Sequence, residues 1–200
     1  MAYSDFTLSK VERQFGLTQK KFRIIPDPKP HLTPSQTLQD DLAFARQIPI
    51  FSEKSKSEHI ITPILKEIFR QNIGRATYFS GYTFDVDTAA NLNGVCDYIF
   101  TRNTESIEIK APIFCLVEAK NRTIEDGLGQ CAAEMVAARL FNQEAGEPIE
   151  RIYGAVTTGF EWVFMRLEDR EIQIDLDDRF FLNQLPLLLG TLQWIIDEGV

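Results

Sequence analysis

The stretch Phe114-Cys115-Leu116-Val117-Glu118-Ala119-Lys120 is an apolar run that ends in two charges. A run of this length reads as a buried strand, and charges at its end are costly unless they have a task. Side chains alternate along a strand, so Glu118 and Lys120 share one face. A carboxylate beside an ammonium suits a divalent cation and an anionic, phosphate-like substrate. Upstream, Leu92-Asn93-Gly94-Val95-Cys96-Asp97-Tyr98-Ile99-Phe100 reads as a second strand with one carboxylate, Asp97, inside an apolar run. Gly94 lets the backbone bulge or another group come close. Downstream, Thr123 precedes a long helical pattern in which Gln130 and Glu134 lie four apart on one face. Carboxylates on neighbouring strands repel, and a hard cation with oxygen ligands removes that repulsion.

In that order, Gly94-Val95-Cys96-Asp97, Glu118-Ala119-Lys120 and Gln130 resemble the core of the PD-(D/E)XK nuclease superfamily, across residues 50–167. The resemblance implies a restriction-endonuclease-like α/β fold, with a mixed central sheet flanked by helices. It also implies that Asp97 and Glu118 hold Mg²⁺ (or Mn²⁺), with the carbonyl of Ala119 as a further ligand. Lys120 would position or activate the attacking water, and Gln130 would support the site. The implied activity is hydrolysis of phosphodiester bonds in DNA, in restriction or repair. One departure stands out: many relatives with this Gln carry an aromatic residue four positions later, where this chain has Glu134.

In some relatives a Glu on the first helix joins the site. Here Ser52-Glu53 followed by Ile61-Thr62-Pro63-Ile64-Leu65 is similar to the nuclease domains of type I restriction enzymes. With a helix starting by Ser52, Glu53 lies nearer the centre of the apolar stripe than Glu58. Glu53 is therefore the candidate and Glu58 the alternative, although the helix dipole alone favours an acid in a first turn.

The elements that must position these residues follow from pattern. Residues 1–50 form an N-terminal extension, in which Pro26, Pro28, Pro30 and Pro34 exclude helix and central strand and predict an extended connector. Thr7–Phe15 reads as a short helix and Phe22–Ile25 as an edge strand. An amphipathic helix follows Thr33-Pro34-Ser35. Residues 51–200 form the nuclease-like domain. Its first helix carries Ile60, Ile61, Ile64, Leu65, Ile68 and Phe69, and either kinks at Pro63 or starts at Thr62. Strands are expected over 76–86, 92–100 and 113–120, then a helix over 124–145, a strand pair at 151–157 and 161–167, and a short strand at 171–176. The apolar segment 185–196 reads as a helix that covers the sheet or makes a dimer contact.

Two hundred residues fit one core, and 44% hydrophobic content is ordinary. No apolar run approaches the ~20 residues needed to span a bilayer. The N-terminus lacks a basic start and an apolar stretch, so the expected location is cytoplasmic. Cys96, Cys115 and Cys131 read as reduced core thiols. The net charge of −8 opposes general nucleic-acid binding, which neutralises phosphates with Lys and Arg. A local basic rim of Lys54, Lys56, Lys110 and Arg122 can coexist with it. Two functions follow: a metal-dependent nuclease acting on DNA, for which a homodimer is natural when both strands are cut, or an inactive nuclease-fold protein that serves as a binding or assembly module.

Overall fold

The computed structural model describes residues 2–27 and 29–199. Helices are α1 (Leu8–Phe15), α2 (Gln36–Ala45), α3 (Glu53–Lys56), α4 (Thr62–Gln71), α5 (Glu125–Glu144) and α6 (Leu185–Gly199). Strands are β1 (Thr18–Lys21), β2 (Thr77–Thr83), β3 (Val95–Thr101), β4 (Ile113–Ala119), β5 (Arg151–Thr157), β6 (Glu161–Glu168), β7 (Glu171–Ile174) and β8 (Phe180–Phe181). They form one mixed sheet in the order β1-β7-β6-β5-β4-β3-β2, with β8 beside β6. Among the described residues, only β1/β7 and β4/β5 are parallel. The second pairing follows from its connection: a parallel neighbour needs a crossover, and α5 supplies it. The result is an α/β architecture with helices on both faces of a mixed sheet, in keeping with a broad nuclease-like layout. Among the described residues, no helix is long and apolar enough to cross a membrane.

Two cores sandwich the sheet. On one face, α1 and α5 cover Ile99, Leu116, Val156 and Val163; on the other, α2, α4 and α6 cover Tyr98, Val117, Ala119 and Phe164. Burial on both faces explains why β4 reads as a continuous apolar run. Helix α5 lies close because small residues let it: a Cβ on Gly154 of β5 would sit 2.6 Å from Met135 Sδ. Helix α6 settles the choice left open for the C-terminal segment by packing Leu188, Leu189, Ile195 and Ile196 into the second core.

The N-terminal segment is tied to the site-bearing elements. Tyr3 donates its backbone N–H to Asn93 O (3.1 Å), and its ring would lie 3.2 Å from a Cβ on Gly94. Close approach is thus the use made of that glycine, whose φ of +140° also excludes most side chains. Gly129 on α5 has no room either, since a Cβ there would meet Phe6 O at 2.3 Å and Thr7 Cα at 2.5 Å. Gly129→Ala is therefore expected to lower the urea midpoint without changing m, for a loss of about 1–3 kcal/mol. An unchanged midpoint would show that the N-terminal segment does not rest on α5 as described.

One local expectation needs correction. The edge strand is Thr18–Lys21, not Phe22–Ile25, because the N–H groups of Ile24 and Ile25 are taken by Asp175 Oδ2 (2.8 and 3.3 Å) and leave the ladder. Of the two readings left open for the first helix, a late start at Thr62 is not the one found, and the start by Ser52 is. Ser52 caps it by accepting from Ser55 N (3.0 Å), and a π-helical turn over Ser57–Ile61 carries it into α4. There Thr62 N–H reaches Ser57 O, which accommodates the missing N–H and bulky ring of Pro63 without a restart. The described residues of the connector, Pro26, Pro30 and Pro34 among them, have no helix or strand, and it crosses α6 at Gly190; Pro28 lies outside the described residues.

Candidate functional site

Register brings the two strand carboxylates together. In the antiparallel β3/β4 pair Tyr98 stands opposite Val117, so the next residues along, Asp97 and Glu118, face each other on the α5 side. Asp97 Oδ2 accepts from Ala119 N–H at 2.8 Å, which places its carboxyl against the end of β4 beside Glu118. Neither Arg75 nor Arg102 competes for Asp97. Arg75 pairs with Asp197 at 2.9 Å, and Arg102 donates to Gly199 O.

Lys120 lies just beyond β4 and points the same way. Its Nζ donates to Glu118 Oε1 (2.5 Å) and to Gln130 Oε1 (2.9 Å) on α5. Gln130 Nε2 in turn donates to Glu134 Oε1 (3.0 Å), one helical turn further on. Gln130 is accordingly buried among these groups, not solvated on the helix surface, and Glu134 is wholly enclosed. One oxygen of each buried acid, Glu118 Oε2 and Glu134 Oε2, has no hydrogen-bond partner.

Burial sets the electrostatics. It raises the pKa of Glu118 first, with the nearby charges of Glu134 and Asp97 adding to it. It raises Glu134 and Asp97 as well. For Lys120, burial pulls the pKa down, but Glu118 outweighs it and holds the ammonium above its usual value. The centre is thus three carboxyls that resist simultaneous ionisation beside one firmly charged ammonium. The three cysteines are free and buried, with thiols pushed up by desolvation, and take no part.

Glu53, at the start of α3, is near enough to Lys120 to raise its pKa by charge, with no direct bond between them. Glu58 instead faces solvent and pairs with Lys54 at 3.5 Å. The basic rim is smaller than its sequence neighbours suggest. Lys54 is engaged with Glu58, and Lys110 lies beyond the far end of β4. Lys56 remains close, donating to Asn121 O with its Nζ 5.8 Å from the Phe160 ring centre, and Arg122 is exposed beside the site.

The donors suit a hard cation in kind: Glu118 offers a buried, unpartnered carboxylate oxygen next to Asp97. In number they are few. Among the described residues, no three Asp, Glu, His or Cys side chains are grouped so as to hold a metal ion. Glu134 is the residue whose part sequence reasoning missed; its signal was the four-residue spacing from Gln130 on a helix that packs on β4 and β5. No protein-family model matches this chain, and none of the curated proteins matches it in sequence.

Proposed function

We propose that this chain hydrolyses phosphodiester bonds of DNA in a metal-dependent reaction at Asp97, Glu118 and Lys120. The observation that carries the reading is a charged lysine clamped between Glu118 and Gln130, beside a buried carboxylate with an unpartnered oxygen. Asp97 and Glu118 would hold Mg²⁺ or Mn²⁺, with the Ala119 carbonyl as a further ligand. When bound, such an ion polarises the scissile phosphate and lowers the pKa of bound water. Lys120 has two protons committed and one left to orient that water or offset charge on the phosphate. Gln130 holds Lys120, and Glu53 adds negative charge at the mouth of the site.

A second reading, a nuclease-fold module that binds or assembles without cleaving, draws on two observations. No three-ligand group exists among the described residues, and the net charge of −8 opposes attraction to phosphates. On the question of metal this reading has the better support; cleavage rests on the acid–lysine cluster. Incubation with supercoiled, linear and single-stranded DNA in Mg²⁺, Mn²⁺ or EDTA separates the two. The first reading expects nicking or degradation that EDTA stops. A melting shift with metal but no cleavage of any substrate establishes the second, and no response to metal at all removes the ion site.

A further inference from the structure

We propose that Glu134 is a positioning residue that sets the direction of the Lys120 ammonium through Gln130. The inference rests on the role given to Lys120 above. An ammonium only donates, so Gln130 must turn its carbonyl oxygen toward Lys120. The amide NH₂ then points the other way, and Glu134 Oε1 is the acceptor that receives it at 3.0 Å. The two ends of the amide are thus pinned by groups of opposite hydrogen-bonding character. A flipped amide would set donor against donor at Lys120 and acceptor against acceptor at Glu134.

Gln130 and Glu134 sit one turn apart on α5, both buried, so no solvent is at hand to replace a lost partner. With Nζ bound to Glu118 Oε1 and Gln130 Oε1, tetrahedral geometry leaves the third N–H one direction. A fully enclosed acid is a poor stabiliser: an apolar side chain of similar volume is often neutral or better in such a place. Glu134 therefore stands where packing alone favours a hydrophobe.

The test is Glu134→Leu beside Glu134→Gln, which keeps an oxygen able to accept from Gln130. In the metal-free protein the side-chain amide signals of Gln130 are expected to exchange slowly with solvent; Glu134→Leu should shift them and speed their exchange, and Glu134→Gln should not. In cleavage, Glu134→Leu should lower kcat about 10–100-fold, the usual scale for losing an orienting partner. KM for DNA should hold, and Glu134→Gln should recover most of kcat. Unaltered Gln130 signals or full kcat in Glu134→Leu would overturn the relay, as would a kcat loss in Glu134→Gln equal to that in Glu134→Leu. If the wild type cleaves nothing, the amide signals alone decide the relay, so its failure and that of the nuclease reading are distinguishable. Should Glu134→Leu not fold, Glu134→Met presents nearly the same shape for the same comparison.

Discussion

Lys120→Ala is expected to reduce DNA cleavage by about 10²–10⁴-fold, the range for removing a positioned proton-transfer group, while sparing the melting shift produced by Mn²⁺. The split follows from the geometry. Lys120 is not a ligand in this arrangement; it donates to Glu118 Oε1 and Gln130 Oε1 and has one N–H left for the reacting groups. Its removal takes away the only ammonium bonded to Glu118 among the described residues and leaves that carboxyl with the nearby charges of Glu134 and Asp97. Repulsion among the three acids then grows, so a divalent ion has as much to relieve as before. Paired measurements of plasmid nicking and of melting temperature with and without Mn²⁺ test both halves. Undiminished cleavage by Lys120→Ala would assign the activity to another site or a contaminant. A vanished metal response would show that Lys120 holds the acids in place instead of acting on substrate.

How much of this was legible beforehand varies with the kind of signal. Strand β4 ends within a residue of its expected limit, because an apolar run with Glu-x-Lys at its end leaves few other arrangements. The pairing of Asp97 with Glu118 was expected from motif order, yet its cause is the β3/β4 register, which periodicity does not specify. Tertiary contacts overrode local propensity elsewhere. Phe22–Ile25 has the composition of a strand, but one distant carboxylate, Asp175, captures its N–H groups. Pro63 left a kink or a late start open, and the helix runs on from Ser52 through a π-helical turn. Lys110 is near Glu118 in sequence and a full strand away in space, so sequence proximity misjudged the rim. Glu134 was visible as a departure from the expected aromatic, but its full enclosure depends on α5 packing on β4 and β5.

Metal and pH should act on stability in opposite directions. Burial raises the pKa values of Glu118, Glu134 and Asp97 above their unfolded values of ~4. Between the unfolded and the raised folded values, the native state binds more protons than the unfolded chain. Stability therefore falls as pH rises through that window. The contribution is fully present below pH ~4 and is lost progressively above it. Lys120 has the opposite charge and a raised value, so its share is lost only above the unfolded lysine value of ~10 and leaves the window untouched. A bound divalent ion requires the ionised carboxylates, so its affinity should increase with pH. The melting temperature in EDTA is thus expected to decline from pH 5 to 8.5, and the gap opened by Mn²⁺ to widen, reaching about 2.7 kcal/mol at a hundredfold excess over Kd. Asp97→Asn separates this site from the general repulsion of an acidic protein. It removes one ligand and one of the repelling charges, so it should flatten the EDTA decline and abolish most of the metal gain. A gap that stays constant with pH in the wild type, or equal metal responses in wild type and Asp97→Asn, would place the ion somewhere other than between Asp97 and Glu118.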